Sequence, residues 1–190
     1  LAGLVIVMGS FIAMAAVAGG TGPFRFLSSI REVVLLAFST SSSAAVMPLS
    51  IQTAEEKLGV RSSIARFLVP LGATVNMNGT ALYECMAAIF IAQAYGVELS
   101  FVTQFLIVVI ALVTSIGVAG VPSASLVAIA IILTAIGLPV EAIGVLLVFD
   151  RILDMSRTAT NVFGDACCTV IVSRMQGEDL PELKADSDSN

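Results

Sequence analysis

Val33-Val34-Leu35-Leu36-Ala37-Phe38-Ser39-Thr40-Ser41-Ser42-Ser43-Ala44-Ala45-Val46-Met47-Pro48-Leu49-Ser50-Ile51 is the stretch whose reading decides the fold. It is apolar and about one bilayer core long at roughly 1.5 Å per helical residue, yet the hydroxyl run 39–43 and Pro48 make it a poor unbroken helix. Arg25 and Arg31 precede it, and Lys57, Arg61 and Arg66 follow it. Because Lys and Arg gather in cytoplasmic loops, the segment begins and ends on one side. Too short to cross twice, it reads as a re-entrant hairpin folded at the serines.

Four further apolar stretches, 1–18, 67–95, 99–140 and 143–173, flank it. With 57% hydrophobic and 12% charged residues and a mean hydropathy of +1.01, the chain exceeds what a soluble core needs, so its solvent is lipid. The first, third and fifth stretches are each long enough to cross once. The fourth holds no charge over a length about twice a single span, and the loops around Glu98 and Glu141 carry no basic residue, so it begins and ends outside. Either two full spans or a second hairpin satisfies that parity. The tip Gly117-Val118-Ala119-Gly120-Val121-Pro122-Ser123-Ala124-Ser125 has no charge and favours a turn buried in protein. The expected fold is an all-α membrane protein with two opposed re-entrant hairpins, each followed by a polar-interrupted crossing helix. That pairing points to a transport site near the midplane.

Several function classes fall away on composition. The chain has no histidine, which removes a Ser-His hydrolase and a histidine metal site, and no enzyme activity is expected. Cys85, Cys167 and Cys168 lack the spacing of a zinc site or a disulfide framework and read as packing residues. Much of the net charge of -5 lies in residues 178–190, expected to be a disordered acidic tail. Nothing points to nucleic acid. The chain starts at Leu1 without a basic leader region, so 1–18 is not read as a signal peptide and an N-terminal truncation is expected.

The last stretch carries Asp150, Arg151, Asp154, Arg157 and Asp165 where each charge costs about 2.5–3.5 kcal/mol on insertion scales. At about 100° per residue, Asp150, Asp154, Arg157, Asn161 and Asp165 form one stripe, with Arg151 at its edge. A buried ion pair at positions 154 and 157 is the plain reading. Three acids exceed what a pair requires, and the stripe suits a zwitterion: Arg157 for a carboxylate, Asp154 for an ammonium and Asp165 for a hard cation. The break Gly72-Ala73-Thr74-Val75-Asn76-Met77-Asn78-Gly79-Thr80 offers backbone and side-chain oxygens for sodium, or is only a kink. The serine run is either a polar packing face or a tip whose hydroxyls and amides hold a carboxylate. Glu84 is a lone buried acid with no assigned role.

These motifs, Ser41-Ser42-Ser43 with Pro48, Asn76-Met77-Asn78-Gly79-Thr80, Ser115-Ile116-Gly117-Val118-Ala119-Gly120-Val121-Pro122 and Asp154-Met155-Ser156-Arg157-Thr158 with Asn161 and Asp165, resemble in order those of the glutamate transporter family of dicarboxylate/amino acid:cation symporters. The resemblance covers residues 1–177 and implies the transport domain, without the family's earlier scaffold helices. It implies that Arg157 and Thr80 bind the substrate's side-chain carboxylate, that Asp154 takes its amino group, and that Asn161 with Ser42 and Ser43 holds its main-chain carboxylate. Gly120, Val121 and Thr158 complete that site. For sodium it implies one site at Gly72, Asn76, Asn161 and Asp165, a second at the carbonyls of Thr74, Ser115, Ile116 and Val118, and further ligands at Met77 and Asn78.

The implied function is symport of aspartate or glutamate with sodium, or protons, by an elevator motion of a homotrimer in the cell membrane, with a cytoplasmic C-terminus and no prosthetic cofactor. Dicarboxylate carriers of the family lack the aspartate at position 154 and neutral amino-acid carriers lack the arginine at 157, whereas this chain has both. Asn78 stands where many members have Asp, and Val118 where Thr is common. Two other functions compete: a neutral amino-acid or dicarboxylate symporter of the same fold, and an ion channel. Phe163-Gly164-Asp165 matches part of an intramembrane aspartyl protease motif, but Val162 occupies its first glycine position.

Overall fold

The computed structural model describes residues 1–117 and 120–180; Val118 and Ala119 in the second tip and residues 181–190 of the acidic tail lie outside the described residues. The described residues form helices α1 (Ala2–Val17), α2 (Pro23–Thr40), α3 (Ser43–Glu56), α4 (Ser62–Val75), α5 (Asn78–Ala94), α6 (Phe101–Gly117), α7 (Ser125–Ala135) and α8 (Gly144–Met175). A 3-10 turn, Val140–Ile143, leads into α8.

The serine run is a stop signal followed by a start signal. Ser39 and Thr40 bond back to the carbonyls of Leu35 and Leu36 and stay helical. Ser41 then takes a left-handed conformation (φ 52°, ψ 31°), the C-terminal position that glycine usually fills. Ser42 is extended, and its Oγ accepts the Ala45 N–H at 3.2 Å as the N-cap of α3. So α2 and α3 pack on each other across a two-residue turn. The first arm runs back to Pro23, ten residues before the apolar run begins, because Gly22 and Pro23 form a ready helix start.

The third stretch is interrupted more briefly than its glycines suggested. Only Asn76 and Met77 leave the helix between α4 and α5. The Gly79 N–H, an orphan donor at the start of α5, goes to Asn161 Oδ1 on α8 at 2.7 Å.

Helix α8 is the hub. Helices α1, α2, α3, α4 and α5 all pack against it. One apolar cluster joins Phe11, Phe26, Ile30, Val69 and Ala65 to Phe163, Cys167 and Val170 on the second half of α8. Another joins Tyr83, Ile91, Ile129 and Leu133 to Leu146 near its start. The polar stripe lies between the two: Asp150, Asp154, Arg157, Asn161 and Asp165 are all buried, while Arg151 is exposed.

Two expectations need correction. Among the described residues no helix is long and apolar enough to cross a membrane. Helix α1 is apolar but has 16 residues, the third stretch is split in two, and the 32-residue α8 carries the charged stripe, so none of the three expected crossings is a single apolar helix. Helix α7, with 11 residues, spans only about 17 Å. The second correction concerns residues 178–180, expected to belong to a disordered tail. Leu180 is fully buried in the first apolar cluster, and Glu178 pairs with Arg61 at 2.7 Å and accepts the Ser173 hydroxyl.

The Ser173 hydroxyl, the Arg61 backbone N–H and the Arg61 charge hold the Glu178 carboxyl below its ordinary value of 4.5. A lowered carboxyl contributes stability above its unfolded value and loses it as pH falls through the folded one. Glu178→Ala is therefore expected to melt lower than the parent at pH 7, with the gap closing below about pH 4. Thermal unfolding against pH checks this, and a gap unchanged at pH 3 would refute it.

Candidate functional site

Seven of the residues expected at a substrate site surround one narrow cleft under the tip of the α2–α3 pair. Ser43, Thr80, Gly120, Val121, Arg157, Thr158 and Asn161 line it, joined by Ser41 and Met77. Its volume is about 10 Å³, room for a single water. Three elements supply the polar groups: the serine turn, the first turn of α5, and α8.

Arg157 is the centre of charge. It pairs with Asp154 one turn earlier on α8, donates from NH1 to Thr80 Oγ1 at 3.2 Å, and lies 5.5 Å from the centroid of the Tyr83 ring. Its Nε is buried without a partner, so a planar fork of donors is only partly used. Asn161 fixes the same corner, donating to Thr80 Oγ1 at 2.9 Å while its Oδ1 holds the Gly79 N–H. A Cβ on Gly79 would stand 2.9 Å from the Arg157 carbonyl, so only glycine lets the α5 start lie against α8.

Asp154 and Ser42 sit differently from the other predicted residues. Asp154 does not line the cleft; besides Arg157 it accepts the backbone N–H of Ser123 at 2.9 Å. Ser42 donates its hydroxyl to the Gly120 carbonyl at 2.8 Å, and the Ala44 N–H reaches the same oxygen at 3.2 Å, tying the first tip to the second.

Tyr83 and Ser123 were missed in the sequence, and Ser41 was read only as part of the serine run. Ser123 has positive φ (57°); its hydroxyl donates to Asp150 Oδ2 at 2.9 Å, and Tyr83 donates to Asp150 Oδ1 at 2.9 Å. Tyr83 was findable, since it lies one turn after Thr80 on α5, whereas nothing local marks a left-handed Ser123.

The residues expected to hold sodium fall into two groups. Asp165 is buried, its carboxylate accepts from Asn76 Nδ2 at 2.9 Å, and no ion pair to it occurs among the described residues. The backbone of Gly72 crosses directly over it: a Cβ there would stand 2.6 Å from Oδ1. A buried carboxylate without a counter-charge among the described residues suits a hard cation carried as cargo. The other group is looser. Thr74 lies in the last turn of α4 and Ser115 and Ile116 in the last turn of α6, where carbonyls lack helical partners, and α4 packs on α6. Val118 lies outside the described residues. Asn78 is exposed and donates to Asn76 Oδ1 at 2.7 Å; Met77 Sδ accepts from Asn161 at 3.3 Å. Glu84 is fully buried, with Oε2 accepting from Thr114 at 3.0 Å and Oε1 unpartnered.

The profile described as the sodium:dicarboxylate symporter family matches residues 1–175. The chain is 45% identical over 168 residues to excitatory amino acid transporter 3 of Mus musculus, covering 88% of this chain and 32% of that protein. It is 49% identical over 144 residues to neutral amino acid transporter B(0) of Mus musculus, covering 76% and 26%. Excitatory amino acid transporter 4 of Rattus norvegicus is 43% identical over 164 residues, covering 86% and 29%. The chain thus spans about a third of the length of these relatives.

Proposed function

Because this chain belongs to the sodium:dicarboxylate symporter family, a family of membrane transporters and not of enzymes, we propose that it is the transport domain of a symporter that carries aspartate or glutamate with sodium. The observation that carries the reading is Arg157: a buried guanidinium lining the cleft, with Thr80 and Asp154 fixing it and Nε free for an incoming carboxylate. A second carboxylate meets the amide of Asn161 and the tip at Ser42 and Ser43, while Gly120, Val121 and Thr158 close the walls.

A cleft of about 10 Å³ is too small for an amino acid, so the second tip lifts to admit it. Lifting breaks the bond from Ser123 N–H to Asp154, which frees that carboxylate for the substrate's ammonium. Sodium binds at Asp165 with Gly72, Asn76 and Asn161, and again at the carbonyls of Thr74, Ser115, Ile116 and Val118, with Met77 and Asn78 adjoining. The 17-residue α6 and 11-residue α7, packed on each other, support a re-entrant pair over two full crossings, as α2 and α3 do on the basic side. The full-length protein is then a multi-pass homotrimer of the cell membrane with its C-terminus, beside Arg174, in the cytoplasm, and it works by an elevator motion.

The 49% identity to a neutral amino acid transporter favours one alternative, a neutral substrate with Arg157 used only structurally. Labelled L-aspartate uptake by the full-length protein in proteoliposomes, under an inward sodium gradient and then a proton gradient alone, separates these. Uptake requiring sodium is expected. Proton-driven uptake would leave the substrate and revise the ion, and no aspartate uptake under either gradient would promote a neutral or dicarboxylate substrate.

A further inference from the structure

The segment after α8 doubles back on the basic side of the molecule. Gly177 takes a left-handed conformation (φ 80°), its N–H closes on the Arg174 carbonyl at 2.9 Å and the Glu178 N–H on the Ser173 carbonyl at 3.1 Å, so the helix ends and the chain reverses. The residues that follow reach both ends of the α2–α3 hairpin. At the entry, Arg174 donates from Nε to the Gly19 carbonyl in the turn between α1 and α2, while its terminal nitrogens hold the Glu178 and Leu180 carbonyls and the Asp179 carboxylate, all at 3.1 to 3.5 Å. At the exit, Glu178 pairs with Arg61 Nε at 2.7 Å and accepts the Arg61 N–H at 3.3 Å, fixing the loop between α3 and α4. Leu180 is fully buried in the cluster that contains Phe26 and Ile30 of α2, Ala54 of α3 and Leu58 and Val60 of that loop. Nearer the tip, the hairpin is held to α8 by a smaller apolar cluster, Val33, Ala37 and Val46 with Val162.

The α6–α7 pair has no such fastening. No charged residue occurs from 99 to 140, and the loops at its base carry only Glu98 and Glu141, which cannot pair with each other. The two tips meet at one carbonyl, that of Gly120, which accepts the Ser42 hydroxyl at 2.8 Å and the Ala44 N–H at 3.2 Å. When those two bonds break, the cleft opens through whichever pair is held less firmly. We infer that residues 177–180 form a strap that locks the α2–α3 hairpin to α8, making it the fixed wall of the cleft and leaving the second tip as the part that moves. The inference rests on the reading above of a cleft that opens to admit its substrate. With the strap loosened, the first tip lifts as well and a bound molecule gains a second way out. Arg174, Glu178 and Leu180 touch no cleft residue; they are positioning residues that act through the base of the hairpin.

The test uses the full-length protein with Glu178→Gln, which removes the ion pair, and Leu180→Ala, which removes the buried anchor. Amide hydrogen exchange is followed at the first tip (41–47), at the hairpin base (57–62) and along α6 (101–117). Exchange at 41–47 is expected to quicken about tenfold in Leu180→Ala and about threefold in Glu178→Gln, with 101–117 unchanged. Labelled L-aspartate bound in sodium chloride is expected to leave each variant faster than the parent by a similar factor, its association rate unchanged. A mere end cap predicts otherwise: quickening confined to 57–62 and 173–180, with 41–47 and the dissociation rate as in the parent, overturns the strap. Quickening that includes 101–117 is general loosening and overturns it too. The exchange measurement needs no ligand, so a parent that binds no aspartate fails the transport reading while exchange at 41–47 still decides the strap.

Discussion

Arg157→Ala is expected to abolish sodium-driven L-aspartate uptake, at least a hundredfold below the parent, and to lower stability by about 3–5 kcal/mol. The two losses have one origin. Asp154 is wholly buried and accepts from Arg157 and from Ser123 N–H, so removing the guanidinium leaves a buried carboxylate with a single neutral donor. Thr80 also loses the donor at 3.2 Å. Arg157→Lys keeps the charge but not the fork, and it is expected to recover stability more than transport. Unfolding and uptake measured on both variants separate the roles. If Arg157→Ala folds as stably as the parent and still carries aspartate, Arg157 is not the carboxylate ligand; if it instead carries a neutral amino acid under sodium, the arginine selects among substrates and the cation machinery is intact.

Gly72→Ala is expected to cost most of the sodium response. Its methyl would meet Asp165 Oδ1 at 2.6 Å, well inside van der Waals contact, so the carboxylate must turn away, toward the small cavity it lines with Val69, Val162 and Ala166. The displaced side chain drops its bond to Asn76 and withdraws an oxygen from the cation. The sodium chloride concentration giving half of the stabilisation over choline chloride should rise by about tenfold or more, with the substrate cleft farther along α8 left lined as before. A Gly72→Ala protein with the parent's sodium titration would show that Asp165 is a structural acid and that the coupling cation binds elsewhere.

How far the sequence carried the fold depends on what each residue needed to declare itself. The charged stripe of α8 was legible, because helical spacing puts positions 150 to 165 on one face whatever surrounds them, and all five stripe residues are buried as that spacing implies. The serine run was legible as a turn, though not its division of labour, since Ser42 becomes the cap through its hydroxyl's bonds to the Ala45 N–H and to the Gly120 carbonyl, the latter distant in sequence. Helix lengths were less accessible. Apolar runs mark where lipid or core is wanted, yet the α4–α5 break occupies just Asn76 and Met77, and Leu180 packs inside what reads as a polar tail. Asp154 illustrates the limit at the site: its charge was evident, but its bond to a backbone N–H thirty-one residues upstream belongs to tertiary structure alone.

Helix α8 leaves the ribosome after α1 to α7, and that order bears on assembly. Five earlier helices pack against it, through contacts such as Asn76 with Asp165, Gly79 with Asn161 and Arg174 with the Gly19 carbonyl, 82 to 155 residues apart in sequence. Until α8 arrives, the Asn76 amide and the Gly79 N–H at the α4–α5 break wait without these partners, a state prone to quality-control capture. Substitutions along the α8 stripe should therefore reduce yield during synthesis more than they loosen a protein already assembled, and the cell's chaperones, rather than the substrate, are the first to read them.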